Sequence, residues 1–249
     1  MSSPKTKLHF SRFEFKYVLP QELREEVEAE LQHFLELDPY VAEQPGHEYL
    51  VRSLYFDDRV HTAFNDKIDG LHTRSKFRLR TYTDDPENGA PWFLEIKGRY
   101  NNLVFKHRAP VVENGGRPDP RERDVTAQLL RFTEPSQVRS SFEYQVFRRA
   151  LAPQVLVDYK RRPYVSKYDP EFRITFDHEL RATATPLLFP GPAASPRLIV
   201  PGYTVLEVKF RYHVPSWFHR VIQAFELRRQ SISKICEGSQ VLGICVDPG

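Results

Sequence analysis

This sequence has little cysteine and no long apolar run. Its two cysteines, Cys236 and Cys245, lie close together near the end, which excludes a disulfide framework and a cysteine-rich zinc site. They read as small buried hydrophobes in a reducing compartment. No stretch approaches the roughly 18 apolar residues of a membrane span, and the first residues, Met1 to Lys7, hold no apolar signal core. The expectation is a soluble, cytoplasmic protein, with association through a membrane-protein partner left open. Nine histidines are scattered without a ligand spacing such as H-x-x-x-H, which argues against zinc. No G-x-S-x-G, Walker or G-x-G-x-x-G pattern occurs. Charge of one sign is missing too: 36 Lys and Arg stand against 33 Asp and Glu, for a net charge of +3 and a pI near 8.8. Bulk charge therefore does not announce a nucleic-acid binder, and any basic character must be local.

What is present is a repeated alternation. Five short segments interleave charge and hydrophobe with a period of two: Arg12 to Lys16, Lys76 to Arg80, Glu95 to Arg99, Arg173 to Asp177 and Glu207 to Arg211. In a strand, residues i, i+2 and i+4 line one face. One such strand normally turns its charges to water. Five in one chain predict a shared charged surface, the inside of a barrel. The apolar faces (Phe13, Phe15; Phe77, Leu79; Leu94, Ile96; Leu206, Val208, Phe210) then point outwards and must be covered. A closed barrel also removes exposed strand edges.

Amphipathic helices supply the cover. Pro20 to Leu37 reads as a helix with Leu23, Val27, Leu31, Phe34 and Leu35 inward, ended by Asp38-Pro39. Residues 121–132 and 138–151 read as helices, with Val125, Leu129 and Leu130, then Phe142, Val146 and Phe147, as apolar contacts. Pro215 to Arg229 reads as a helix burying Trp217, Phe218, Val221, Ile222 and Phe225. Further strands are predicted over Tyr49 to Asp57 and near 103–112, 154–161, 171–178 and 203–211. The proline-rich stretch 185–202 predicts a long exposed loop. The expected fold class is α+β: one domain over 1–249 with its core near 9–240, an antiparallel β-barrel of about eight strands with helices packed on the outside.

The candidate chemistry lies on the charged faces. Lys16, Arg52, Arg78, Arg80, Lys97, Lys106, Arg161, Arg173, Lys209 and Lys234 form the basic set, with Arg12 heading the first charged strand. Arginine offers permanently charged, bidentate contacts to phosphate oxygens, and lysine adds point charges. Several such cations suit a chain of phosphates better than one carboxylate. Glu14, Glu95 and Glu207 each stand two residues before a lysine. As hard oxygen ligands they suit Mg²⁺ or Mn²⁺, with Glu207 the best candidate; the alternative is that each pairs with a neighbouring cation. Trp92 and Trp217 read as packing residues. The aromatics beside the basic residues fall on the opposite strand face, so they read as core, not as base-stacking platforms, and no nucleic-acid partner is expected.

The order of motifs resembles a known family. Arg12 to Lys16, Val51 to Asp57, Lys76 to Arg80, Leu94 to Lys97, Tyr159 to Tyr164, Arg173 to Asp177, Val205 to Phe210 and Ser233-Lys234 look like the vacuolar transporter chaperone (VTC) domain, a polyphosphate polymerase domain of the triphosphate tunnel metalloenzymes. The resemblance implies an antiparallel barrel enclosing a basic tunnel. It implies transfer of the γ-phosphate of ATP to polyphosphate with Mn²⁺ or Mg²⁺, so that ATP and polyphosphate are the expected partners. By motif position, Lys16, Arg78, Arg80, Lys97, Lys106, Arg161, Arg173 and Lys234 would bind phosphates and Glu207 the metal, with Arg78, Arg80, Lys97, Arg161, Arg173 and Lys234 nearest the chemistry. The tunnel hydrolases and cyclases begin with E-x-E-x-K, whereas here Arg12 gives R-x-E-x-K, a change that favours the polymerase-like group. Hydrolysis of tripolyphosphate or a nucleoside triphosphate, and non-catalytic sensing of polyphosphate or inositol phosphates, are the alternatives.

Overall fold

The computed structural model describes residues 9–101, 103–112 and 118–247. The elements run in the order β1 (His9–Pro20), α1 (Gln21–Leu31), β2 (Leu35–Leu37), β3 (Tyr49–Asp57), α2 (Thr62–Ile68), β4 (Thr73–Thr81), β5 (Trp92–Tyr100), β6 (Leu103–Val111), α3 (Val125–Phe132), α4 (Gln137–Arg149), β7 (Ala152–Ser166), β8 (Arg173–Ala184), β9 (Arg197–Leu198), β10 (Tyr203–Phe210), α5 (Ser216–Ala224) and α6 (Lys234–Val241). The strands pair in the order β2-β7-β3-β4-β5-β6-β1-β10-β8-β9, and β7 also pairs with β8. The pairing order of the antiparallel sheet is thus a ring of about eight strands, the α+β class expected from the alternating segments. Among the described residues, no helix is long and apolar enough to cross a membrane.

The chain divides into two compact units, the first made of Ser53–Leu156 with Ala184–Ala194 and the chain start to Ser11, the second of Arg12–Arg52, Val157–Thr183 and Ser195–Gly249. In the first unit, β4 and β5 place Phe77 opposite Ile96 and Leu79 opposite Leu94, and β6 places Ala109 opposite Leu94. These residues form one face and build a core with Leu129 of α3 and Phe142 of α4. The Phe142 ring lies 5.1 Å from Phe56 and 5.5 Å from Phe77, and truncating such a fully buried aromatic costs about 3–5 kcal/mol. Both helices start as their sequences dictate. Asp124 accepts a hydrogen bond from the Ala127 amide at 2.8 Å and Ser136 from the Arg139 amide at 3.2 Å, satisfying donors that the first helical turn leaves unpaired. Phe147, expected in the core, is 77% exposed, because α4 turns that position away from the sheet.

In the second unit, β1 pairs with β10 in a register that sets Phe15 opposite Val208 and Lys16 opposite Glu207. Beside it β8 sets Ile174 opposite Val208 and Thr175 opposite Glu207. Phe13, Phe15, Ile174, Leu206 and Val208 therefore fall on one face, and Glu14, Lys16, Glu207 and Lys209 on the other. Phe13, Phe15, Ile174, Phe176, Leu206, Val208 and Phe210 join a core with Val27 and Leu31 of α1 and Trp217, Phe218 and Val221 of α5. Phe34 stacks on Trp217 at 4.6 Å. Trp92 and Trp217 are both packing residues, as the sequence suggests.

The helix expected to run to Leu37 stops at Leu31. Leu35–Leu37 instead pairs antiparallel with Tyr164–Ser166 of β7. Leu35 and Leu37 are spaced two apart, which suits a strand as well as a helix face, and the backbone pairing with β7 decides between them. Helices α2 and α6 were not anticipated, and the expected loop 185–202 contains the two-residue strand β9 paired with β8.

Candidate functional site

The charged faces form two clusters, one in each unit, and each is organised around buried carboxylate. In the first unit, Glu95 of β5 is 0% exposed. Arg78 and Arg80 project from β4 on one side of it, Lys106 and Arg108 from β6 on the other, because β5 lies between those strands. The Arg78 guanidinium donates to Glu95 Oε2 through Nε at 2.8 Å and a terminal nitrogen at 2.6 Å. Arg80 stands 3.7 Å from the same oxygen, and Lys106 and Arg108 meet Oε1 at 2.8 and 3.0 Å. Burial works against the charge on Glu95, but Arg78, Lys106, Arg80 and Arg108 hold its carboxyl well below the usual range. Burial and the neighbouring arginines push the Lys106 ammonium well below the usual lysine range, against the pull of Glu95.

Two hydroxyls from β3 hold the arginines from a third direction. Arg80 Nε donates to Ser53 Oγ at 3.0 Å, and Arg78 donates to Tyr55 Oη at 3.1 Å. Lys97, partly buried, pairs in register with Lys106 across β5 and β6.

In the second unit, Glu207 of β10 and Asp177 of β8 share two cations. Arg161 of β7 makes a bidentate contact to Asp177 at 2.6 and 2.7 Å and reaches Glu207 Oε2 at 3.0 Å. Lys234, the first residue of α6, reaches Asp177 Oδ2 at 2.6 Å and Glu207 Oε1 at 2.7 Å. Against burial, which works to lower it, Asp177 and Glu207 hold the Lys234 ammonium above the usual lysine range. Its Nζ lies 4.8 Å from the centre of the Tyr159 ring, and Arg161 lies 5.3 Å from it. Lys209 meets Glu207 Oε2 at 3.3 Å, and burial together with Arg161 pulls its ammonium down to about 7. Lys16 lies 3.5 Å from Glu14 and 3.7 Å from Glu207, and donates to the Ile232 carbonyl at 3.0 Å. Burial, offset by Glu14 and Glu207, lowers Arg12 below the usual arginine range.

Residues of the VTC domain family match the chain over 11–243. The chain belongs to that family. Comparison with curated proteins finds no match. Among solved structures, a protein of Bacillus halodurans described as a "putative adenylate cyclase" superposes with a TM-score of 0.54 at 10% identity, covering 91% of this chain and 95% of its own. This likeness is one of fold. The Pyrococcus horikoshii OT3 protein PH1819 gives a TM-score of 0.45 at 10% identity over 95% of this chain and 100% of its own. The triphosphatase of the Mimivirus capping enzyme gives 0.36 at 11% identity over 87% and 88%.

In this VTC domain the expected basic residues are shared between the two units. Arg78, Arg80 and Lys106 gather on Glu95; Lys16, Arg161, Lys209 and Lys234 gather on Glu207. Arg173 sits opposite Lys209 in the ladder, but its side chain is half exposed and lies 3.7 Å from Asp38. Arg52 belongs to neither cluster. It shares its strand face with Leu54 and Phe56, which are core residues, and it is locked to Asp158 by hydrogen bonds of 2.9 and 2.8 Å. An even offset along β3 would have placed it with Ser53 and Tyr55; the odd one turns it to the other face.

The three glutamates expected as metal ligands are placed as ion-pair partners. Glu207 Oε1 meets Lys234 and Lys16, and its Oε2 meets Arg161 and Lys209. Among the described residues no group of three or more His, Cys, Asp or Glu stands ready to hold a metal ion. A divalent cation approaching these carboxylates would meet guanidinium and ammonium groups at the distances its own ligands need. The donor set therefore does not fit a metal held by the protein's carboxylates alone.

Arg108, Tyr55, Ser53 and Asp177 were missed as site residues. The signal for Arg108 is its spacing of two from Lys106 on β6. Asp177 lies within one of the alternating segments, at the end of the same face as Arg173 and Thr175.

Proposed function

We propose that this VTC domain is a polyphosphate polymerase that moves the γ-phosphate of ATP onto the end of a polyphosphate chain. The observation that supports it most directly is the make-up of the clusters. Each gathers several cations onto buried carboxylate that cannot neutralise them all: Arg78, Arg80, Lys106 and Arg108 share Glu95. The carboxylate fixes the direction of each cation, and the surplus positive charge is left for an anion. Held in this way, the cations need little reorganisation when phosphate oxygens arrive, which is where electrostatic catalysis gains most.

The chemistry needs no nucleophile from the protein. A terminal oxygen of the acceptor polyphosphate attacks the γ-phosphorus of ATP, the bond to the β–γ bridging oxygen breaks, and ADP leaves with that oxygen. In such transfers positioning and charge neutralisation dominate. Arg78, Arg80 and Lys97 grip phosphates in one cluster; Arg161 and Lys234 do so in the other, with Arg12, Lys16, Lys106 and Lys209 adding charge and Arg173 meeting phosphate from its half-exposed place beside Asp38. The Mn²⁺ or Mg²⁺ expected from the resemblance belongs, on this reading, with the phosphates of the nucleotide, since Glu207, Glu14 and Glu95 are engaged by cations.

The test is an ATP time course with Mn²⁺ and with Mg²⁺, followed on a polyphosphate-stained gel and by an orthophosphate assay. A ladder of chains with matching ADP supports the polymerase. Orthophosphate without a ladder assigns a hydrolase, with water as the acceptor. Neither product, together with tight polyphosphate binding, assigns a sensor.

A further inference from the structure

Tyr55 is a buried phenol surrounded by donors. It is 6% exposed and lies two residues from Ser53 on β3, so both hydroxyls share one strand face. Its oxygen accepts a hydrogen bond from Arg78 at 3.1 Å, and the Arg78 guanidinium carbon lies 5.8 Å from the ring centre. A phenol oxygen that accepts still carries a hydrogen of its own to donate. Among the described residues no acceptor for that hydrogen is found. The charged groups that act on the phenol most strongly are Arg78 and Arg80 from β4 and Lys97 from β5, all of them donors without acceptor capacity. Beyond them, Lys106 and Arg108 on β6 are engaged by Glu95, whose Oε2 is taken by Arg78.

A buried hydroxyl normally finds partners for both its roles. Here the acceptor is missing at the point where the cations are in surplus, and an anion supplies both needs at once. We propose that Tyr55 is an anion-binding residue of the Glu95 cluster, donating its phenolic hydrogen to a phosphate oxygen held by Arg78, Arg80 and Lys97. This rests on the reading that the cluster takes phosphate. It adds a neutral, directional donor to an otherwise ionic site. Burial alone would raise the phenol, but Arg78, Arg80 and Lys97 pull it down to about 8, and a more acidic hydroxyl donates more strongly to an anion.

The test compares wild type and Tyr55→Phe in two measurements. The first is tripolyphosphate affinity by calorimetry. Wild type should bind, and Tyr55→Phe, which keeps the ring and loses only the hydroxyl, should bind at least about tenfold more weakly, the usual scale for a hydrogen bond to a charged group. The second is the phenolate absorbance of wild type as pH rises through about 8, where Tyr55 ionises. Saturating tripolyphosphate should abolish that early step, because an anion against the oxygen disfavours the phenolate. Equal affinity of the two proteins, or an early phenolate step that survives saturation, overturns the assignment of Tyr55 while leaving the cluster an anion site. Failure of wild type to bind tripolyphosphate overturns the assignment and the reading beneath it together.

Discussion

Arg78 and Glu95 are direct partners across β4 and β5, and the guanidinium closes on a single carboxylate oxygen at 2.8 and 2.6 Å. The other oxygen is taken by Lys106 and Arg108 from the opposite strand. One carboxylate thus holds cations from both neighbouring strands, and its loss differs in kind from the loss of any one cation.

Glu95→Gln should be among the most damaging charge changes in the chain. It leaves Arg78, Arg80, Lys106 and Arg108 buried or half-buried without their shared anion, and breaking a buried pair in this way costs about 3–5 kcal/mol. Added tripolyphosphate should recover more of the melting temperature in Glu95→Gln than it adds to wild type, because the anion replaces the missing charge. Thermal melts with and without tripolyphosphate check this; equal shifts in the two proteins would place the anion elsewhere.

Acid should unfold the protein through these same carboxylates. Cations hold Glu95 and Glu207 well below the ordinary range despite burial. The unfolded chain, whose glutamates titrate at about 4.3, then binds more protons than the folded one. The stability they lend is complete above that value and is lost as pH falls through their folded values. Urea midpoints measured from neutral pH downwards should fall in this window, and the fall should be shallower in Glu95→Gln. A slope unchanged by the substitution would mean that other groups carry acid unfolding.

Arg52→Ala should separate structure from function. Its guanidinium is spent on Asp158, on the strand face away from Ser53 and Tyr55. The expected outcome is a loss of about 1 kcal/mol, the scale of a partly exposed ion pair, with tripolyphosphate affinity unchanged within about twofold. A large loss of affinity in calorimetry would return Arg52 to the binding set.

Gly98→Ala tests the packing of β5 on β6. Gly98 and Phe105 are cross-strand partners, and a Cβ at Gly98 would overlap the Phe105 ring. Overpacking of this kind costs about 1–3 kcal/mol. A chemical melt should show the loss, and Phe105→Leu in the same chain should relieve part of it.

Much of this was legible in the sequence because strand alternation is a strong signal. The segments 76–80 and 207–211 mark both the core faces and the charged faces, and the register in the structure sets Arg78 opposite Glu95 and Lys16 opposite Glu207, with only Arg211 falling beyond the end of β10. Other features depend on tertiary partners. Leu35 to Leu37 suits helix and strand alike, and only pairing with β7 selects the strand. Arg52 has the right chemistry for phosphate, but the parity of its position in β3 and the presence of Asp158 on β7 remove it. The glutamates had two readings from spacing alone, metal ligand or ion-pair partner. The choice turns on cations from other strands, Arg108 and Arg161 among them, that no local pattern places beside Glu95 and Glu207.

The central claim is that the clusters are anion sites and not merely ion-pair networks that hold the strands. Calorimetric titration of tripolyphosphate into wild type and Arg78→Gln tests it most directly. Removing Arg78 leaves Glu95 with Arg80, Lys106 and Arg108, so the fold should survive with a small drop in melting temperature. Wild type should bind with an affinity that weakens as salt rises, and Arg78→Gln should bind at least about tenfold more weakly. Unchanged affinity in Arg78→Gln, or no binding by wild type, would contradict the account.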